Sequence, residues 1–176
     1  VIDAPYTLKK VKELRVDALF GKKKHYNAAD RIAKYNFTFS VFTILINLFL
    51  GSILFAYLSI SLPIAMQWAG AFLSLIAAFL SLLQTLCNYP KVIEGHRSIA
   101  SRYLEIANEC SRLEAYVLDG EMDLNALREK LERLAKVYDQ VVKDAEAFPT
   151  NDNDYKKAKK GFNEGEEEYT HEELNS

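Results

Sequence analysis

No aspartate, glutamate, lysine, arginine or histidine occurs between Tyr35 and Pro90, a gap of 56 residues in a 176-residue chain that is 26% charged. Cysteine is nearly missing as well. Cys87 and Cys110 are the only two, and no paired spacing links them. That excludes a disulfide framework and a cysteine-based zinc motif, and leaves two buried free thiols in a reducing compartment as the expectation. A cleavable leader is not expected, because the first 34 residues are polar and basic and the apolar run after them is too long for an h-region of about 7–15 residues. There is no P-loop, no G-x-S-x-G, no paired-histidine metal motif and no glycine-rich phosphate cradle. His25, His96 and His171 stand far apart, and the carboxylates of Glu94 and Glu105 near His96 are an ordinary helix-surface pairing. No enzyme activity, cofactor or metal is expected.

The uncharged gap holds two runs, FTFSVFTILINLFLGSILFAYLSISL (37–62) and PIAMQWAGAFLSLIAAFLSLLQTLCN (63–88). Each exceeds the roughly 20 apolar residues needed to cross a bilayer. Pro63 favours the first turn of a new helix and restrains Leu62, which predicts a tight turn near Ser59–Ala65. Trp68 and Tyr57 then mark one interface, and Tyr35 and Tyr89 the other. A soluble bundle with a buried hairpin is the alternative, but neither run has the charged face that core helices usually carry.

Basic residues flank the gap on both sides: Lys22, Lys23, Lys24, Arg31 and Lys34 before it, Lys91, Arg97, Arg102 and Arg112 after it. The turn has none, so the positive-inside rule places both termini in the cytoplasm. Lys22, Lys23 and Lys24 suit anionic headgroups, or equally a solvated basic turn, and no nucleic-acid motif accompanies them.

The expected architecture is all-α: a two-span transmembrane hairpin between cytoplasmic helices. Residues 1–36 are basic and amphipathic. Thr7 is a candidate N-cap for a helix whose apolar face is Leu8, Val11, Leu14 and Ala18 and whose end is Gly21, and a second helix over 24–36 leads into the first span. The hairpin takes 37–89, with spans at about 37–60 and 64–88. Residues 91–148 form an antiparallel helical hairpin whose stripes continue directly from the second span. One stripe is Ile99, Tyr103, Ile106, Cys110, Leu113 and Val117; the other is Leu124, Leu127, Leu131, Leu134, Tyr138, Val141, Ala145 and Phe148. Gly120 and Asp123 cap the helices at the connection. Residues 149–176 are acidic and poor in aliphatics, and are expected to be disordered.

Within the spans the polar and small residues line up. Ser40, Thr43, Asn47 and Gly51 share one face of the first span, as candidate pore-lining or subunit-interface residues. Gln67, Gly70, Ser74, Ala77, Ser81, Gln84 and Asn88 form a helix-packing stripe along the second, opposite Phe72, Leu75, Phe79 and Leu83. Small residues allow close backbone approach and polar ones hydrogen-bond between helices. An unpartnered amide costs several kcal/mol in hydrocarbon, so Asn47 needs a helix or water beside it. Either the stripes pack the hairpin and its neighbours, or one of them lines a central pore.

The basic lead-in, the two close-spaced spans and KVIEGHRSIASRYLEIANECSRLEAYV (91–117), with His96, Ala100 and Tyr103 after the second span, resemble the SLATT family of two-transmembrane effector domains over about residues 10–145. The resemblance implies a bacterial conflict-system (antiphage) effector in the inner membrane. Such an effector is a homo-oligomer proposed to form pores that disable an infected cell. It works with a separate sensor or nucleotide-signalling protein, and in some systems with a reverse transcriptase. No sensor domain is recognisable in this sequence, so a separate trigger is expected and direct nucleotide binding is not. The competing expectation is a non-conducting membrane anchor or scaffold that recruits a cytosolic partner through the helical hairpin.

Overall fold

The structure is a computed structural model that describes residues 5–59 and 63–167. Five helices follow one another: α1 (Pro5–Ser59), α2 (Ile64–Cys87), α3 (Tyr89–Leu118), α4 (Leu124–Ala145) and α5 (Asp152–Asn163). No strand occurs among the described residues. The chain divides into two compact units, Val1–Asp30 with Ile93–Ser176, and Arg31–Val92.

In the Arg31–Val92 unit, α1 and α2 are long and apolar enough to cross a membrane, and only 6% of the most apolar window of each is buried. A soluble bundle would bury such windows, so the exposure argues against that alternative. α1 stops at Ser59 and α2 starts at Ile64, at the ends of the expected turn; residues 60–62 lie outside the described residues. Pro63 caps α2 at φ −53° and ψ 143°, where its missing N–H is no loss, and its carbonyl accepts from the Met66 and Gln67 amides. At the far end Asn88 takes the left-handed conformation, φ 41° and ψ 49°, which asparagine tolerates better than most residues. Its carbonyl starts α3 by accepting from Lys91 and Val92. The expectation that the stripes run on directly from the second span is therefore corrected: Asn88 breaks the helix.

In the other unit, the two stripes pack on each other, apart from Leu124 at the start of the second. Ile99, Tyr103, Ile106, Cys110, Leu113 and Val117 of α3 meet Leu127, Leu134 and Val141 of α4 in one core, with Leu131, Tyr138 and Phe148 at its margin. The connection closes as a Schellman motif. The Glu121 amide donates to Tyr116 and the Gly120 amide to Val117, with Gly120 at φ +75°. The Asp123 carboxylate then accepts from the Ala126 amide and caps α4.

Two expectations are corrected here, and one contribution to the core is new. First, Gly21 does not end a helix, and Thr7 does not cap one; α1 starts at Pro5 and runs through both. Gly21 is buried against the Tyr103 ring, where a Cβ would lie 2.9 Å from the ring carbons, so the glycine serves close approach and not termination. Second, α1 joins the core of the helical hairpin, a contact on which the sequence was silent: Val11 and Ala18 are fully buried in it, with Leu8, Leu14 and Leu19 alongside. Third, the acidic segment is ordered over 152–163. Asn151 and Asp154 form a capping box at the start of α5. Ala158 and Gly161 are buried, and Tyr155 and Phe162 pack on Phe20 with ring centroids 5.1 and 5.8 Å away. Residues 168–176 lie outside the described residues.

Candidate functional site

The hairpin of α1 and α2 carries the first group of candidate residues. Helix α2 turns part of its small and polar stripe toward α1: Gln84 Nε2 donates to Ser40 Oγ at 3.1 Å, Ala77 is buried, and a Cβ on Gly70 would sit 3.6 Å from Ile53. Gln67, Gly70 and Ser74 line a groove of about 360 Å³ with Leu50, Ile53, Leu54, Tyr57 and Ala71. The Ser74 and Ser81 hydroxyls satisfy themselves on the carbonyls of Ala71 and Ala77. Asn88 ends the stripe as the left-handed cap. The bulky residues Phe72, Leu75, Phe79 and Leu83 are exposed.

The α1 set divides in two. Ser40 bonds to Gln84, and Thr43 is buried with its hydroxyl donating to the Phe39 carbonyl at 2.9 Å. Asn47 and Gly51 are exposed. A Cβ on Gly51 would meet nothing within 4 Å, and among the described residues none bonds the Asn47 amide. One turn of helix thus separates hydroxyls served inside the hairpin from an amide that the hairpin leaves open.

The second group lies in the other unit. His96, Ala100 and Tyr103 are all buried on α3. His96 Nδ1 stands 3.0 Å from His25 Nδ1, so one ring donates and the other accepts. Burial pushes His25 down to about 4; the His96 and Lys24 charges act in the same direction and Asp154 acts against them. Tyr103 packs beside His25, and Phe148 beside His96. Burial pushes the Tyr103 hydroxyl up to about 12. No group of three or more His, Cys, Asp or Glu side chains that could hold a metal ion occurs among the described residues. The pair is a buried hydrogen bond that ties α1 to α3. Burial also pushes the Cys110 thiol up to about 11, so it is unreactive; Cys87, expected to be buried, is exposed instead.

The basic cluster is placed differently from the headgroup expectation. Lys22 pairs with Glu167 at 2.7 Å, Lys23 with Glu166 and, at 3.6 Å, with Glu167, and Lys24 lies over the Phe20 ring. The Lys22 and Lys23 side chains are only 15% and 10% exposed. Sequence reading missed His25 as the partner of His96, and Glu166 and Glu167 as the partners of Lys22 and Lys23. His25 and His96 lie 71 positions apart and no local periodicity pairs them, whereas the match of a basic cluster to an acidic segment is a usable signal.

A family model described as SMODS and SLOG-associating 2TM effector domain family 4 matches residues 8–173. The chain matches no curated protein and no solved structure.

Proposed function

The chain belongs to the SMODS and SLOG-associating 2TM effector domain family, and from that premise we propose that it is a membrane effector whose copies assemble in the bilayer into a conducting pore. The observation that carries the reading is Asn47. Its amide lies on a helix long and apolar enough to cross a membrane, is exposed on the single chain, and has no partner among the described residues. In hydrocarbon such an amide costs several kcal/mol unless another helix or water serves it. A neighbouring copy or a wetted lumen supplies both remedies. Gly51, with open space around it, lets that neighbour approach closely.

The basic flanks and uncharged turn support cytoplasmic termini in a bacterial inner membrane. The compact unit of Val1–Asp30 and Ile93–Ser176 is then the cytoplasmic part, available to a separate sensor or nucleotide-signalling protein; the family description, which names association with SMODS and SLOG, favours such a partner. The test is the oligomeric mass of the purified chain in mild detergent, with Asn47→Cys cross-linking in native membranes. The reading expects a discrete oligomer and an Asn47–Asn47 position within cross-linking reach. A chain that is monomeric in both settings overturns it.

A further inference from the structure

Away from the apolar hairpin, one cavity is walled by charge. It lies within the unit of Val1–Asp30 and Ile93–Ser176 and measures about 520 Å³. Lys22 and Lys23 of α1 and Lys157 and Lys160 of α5 line it, together with Glu166 and Glu167. The carboxylate of Glu167 bridges two ammonium groups, 2.7 Å from Lys22 and 3.6 Å from Lys23, and the Glu166 carboxylate accepts from the Lys23 ammonium as well. The Lys23 ammonium holds the Glu166 carboxyl below the usual carboxylate range.

Two carboxylates on two nearly buried lysines carry the charge of one phosphate dianion, about −1.5 to −2, in the bridging pattern its oxygens would adopt. The space is built for this contact. At Gly161 a Cβ would run into the Glu166 carboxylate and lie 2.6 Å from the Lys23 ammonium. The resident carboxylates do not use all the positive charge. Lys160 is held only by Glu164 at 3.6 Å and is 74% exposed, and Lys157 has no carboxylate partner among the described residues. The Glu166 side chain is 60% exposed, so a solute anion can reach the Lys23 ion pair and compete with the resident carboxylates.

We propose that this cavity is a binding site for a phosphate-bearing anion, and that Glu166 and Glu167 are its displaceable occupants. Binding would release the segment after α5 from α1 and recruit Lys157 and Lys160 to the new charge. The inference concerns this unit alone and is independent of whether the chain conducts.

The test uses the full chain in detergent, titrated calorimetrically with inorganic tripolyphosphate, with hydrogen exchange followed at residues 164–167. Glu166→Gln with Glu167→Gln is expected to bind at least tenfold tighter than the native chain, because no resident charge competes. Lys157→Gln with Lys160→Gln is expected to bind at least tenfold weaker; both lysines are exposed, so the fold is retained. In the native chain the ligand should raise exchange at 164–167. Nanodiscs of phosphatidylcholine with and without phosphatidic acid give the second arm. Release by phosphatidic acid and not by tripolyphosphate assigns the phosphate to a lipid headgroup. If neither probe raises exchange, or if both double variants bind within twofold of the native chain, the proposal is wrong.

Discussion

Gly21 and the two histidines show how single residues hold α1 against α3. Gly21→Ala places a methyl group into the Tyr103 ring, and overpacking of that kind costs about 1–3 kcal/mol. Chemical denaturation should find the variant destabilised, although alanine is the better helix former by about 1 kcal/mol. His25 makes a pH prediction. Its folded value, about 4, lies below the ordinary value of 6.5, so the folded state binds fewer protons between them. The contribution is present above 6.5 and is lost as pH falls toward 4, by on the order of 2–3 kcal/mol once the full shift is discounted for partial solvent screening. The groups facing His25 are His96, Tyr103, Lys24 and Asp154. His25→Phe should flatten the stability profile in that window; a slope identical to that of the native chain would assign the effect elsewhere.

At the scale of elements, legibility followed periodicity. The α3 and α4 stripes step by three and four residues over many turns, and their positions are those of the core. The Gly120 and Asp123 caps follow from local chemistry and were equally readable. What escaped was decided by partners distant in sequence. Gly21 reads as a stop until Tyr103 is placed beside it, and α5 reads as disorder because its packing rests on Ala158, Gly161 and two aromatic rings. The Asn47 side chain could be flagged from sequence as needing a partner; that Ser40 and Thr43 are satisfied within the hairpin and Asn47 is not required the structure. Two variants test these elements. Leu131→Asp sets a charge against the α3–α4 core and should cost several kcal/mol, with loss of effector activity and retained membrane insertion. Asn151→Ala removes half of the capping box and should destabilise α5 by about 0.5–2 kcal/mol, read as faster hydrogen exchange over 152–163 with α4 unaffected.

For the whole molecule, charge sorting is the governing fact: the unit of Arg31–Val92 holds the uncharged gap, and the other holds nearly all the ionisable groups. Reporter fusions at the two ends should therefore report the same, cytoplasmic side, and opposite sides would overturn the two-span hairpin. The central claim is that assembled copies conduct and that Asn47 helps to wet the path, since a hydrophobic constriction can close by dewetting. Hydrogen bonds between membrane helices average about 0.6 kcal/mol, so Asn47→Leu should still insert and oligomerise. The most direct measurement is ion leakage from liposomes holding equal amounts of native chain and Asn47→Leu, with oligomer size determined on the same samples. The account predicts leakage from the native chain and at least a several-fold smaller leak from Asn47→Leu at unchanged oligomer size. Intact native oligomers that leak nothing would contradict it and leave the membrane anchor or scaffold as the reading that stands.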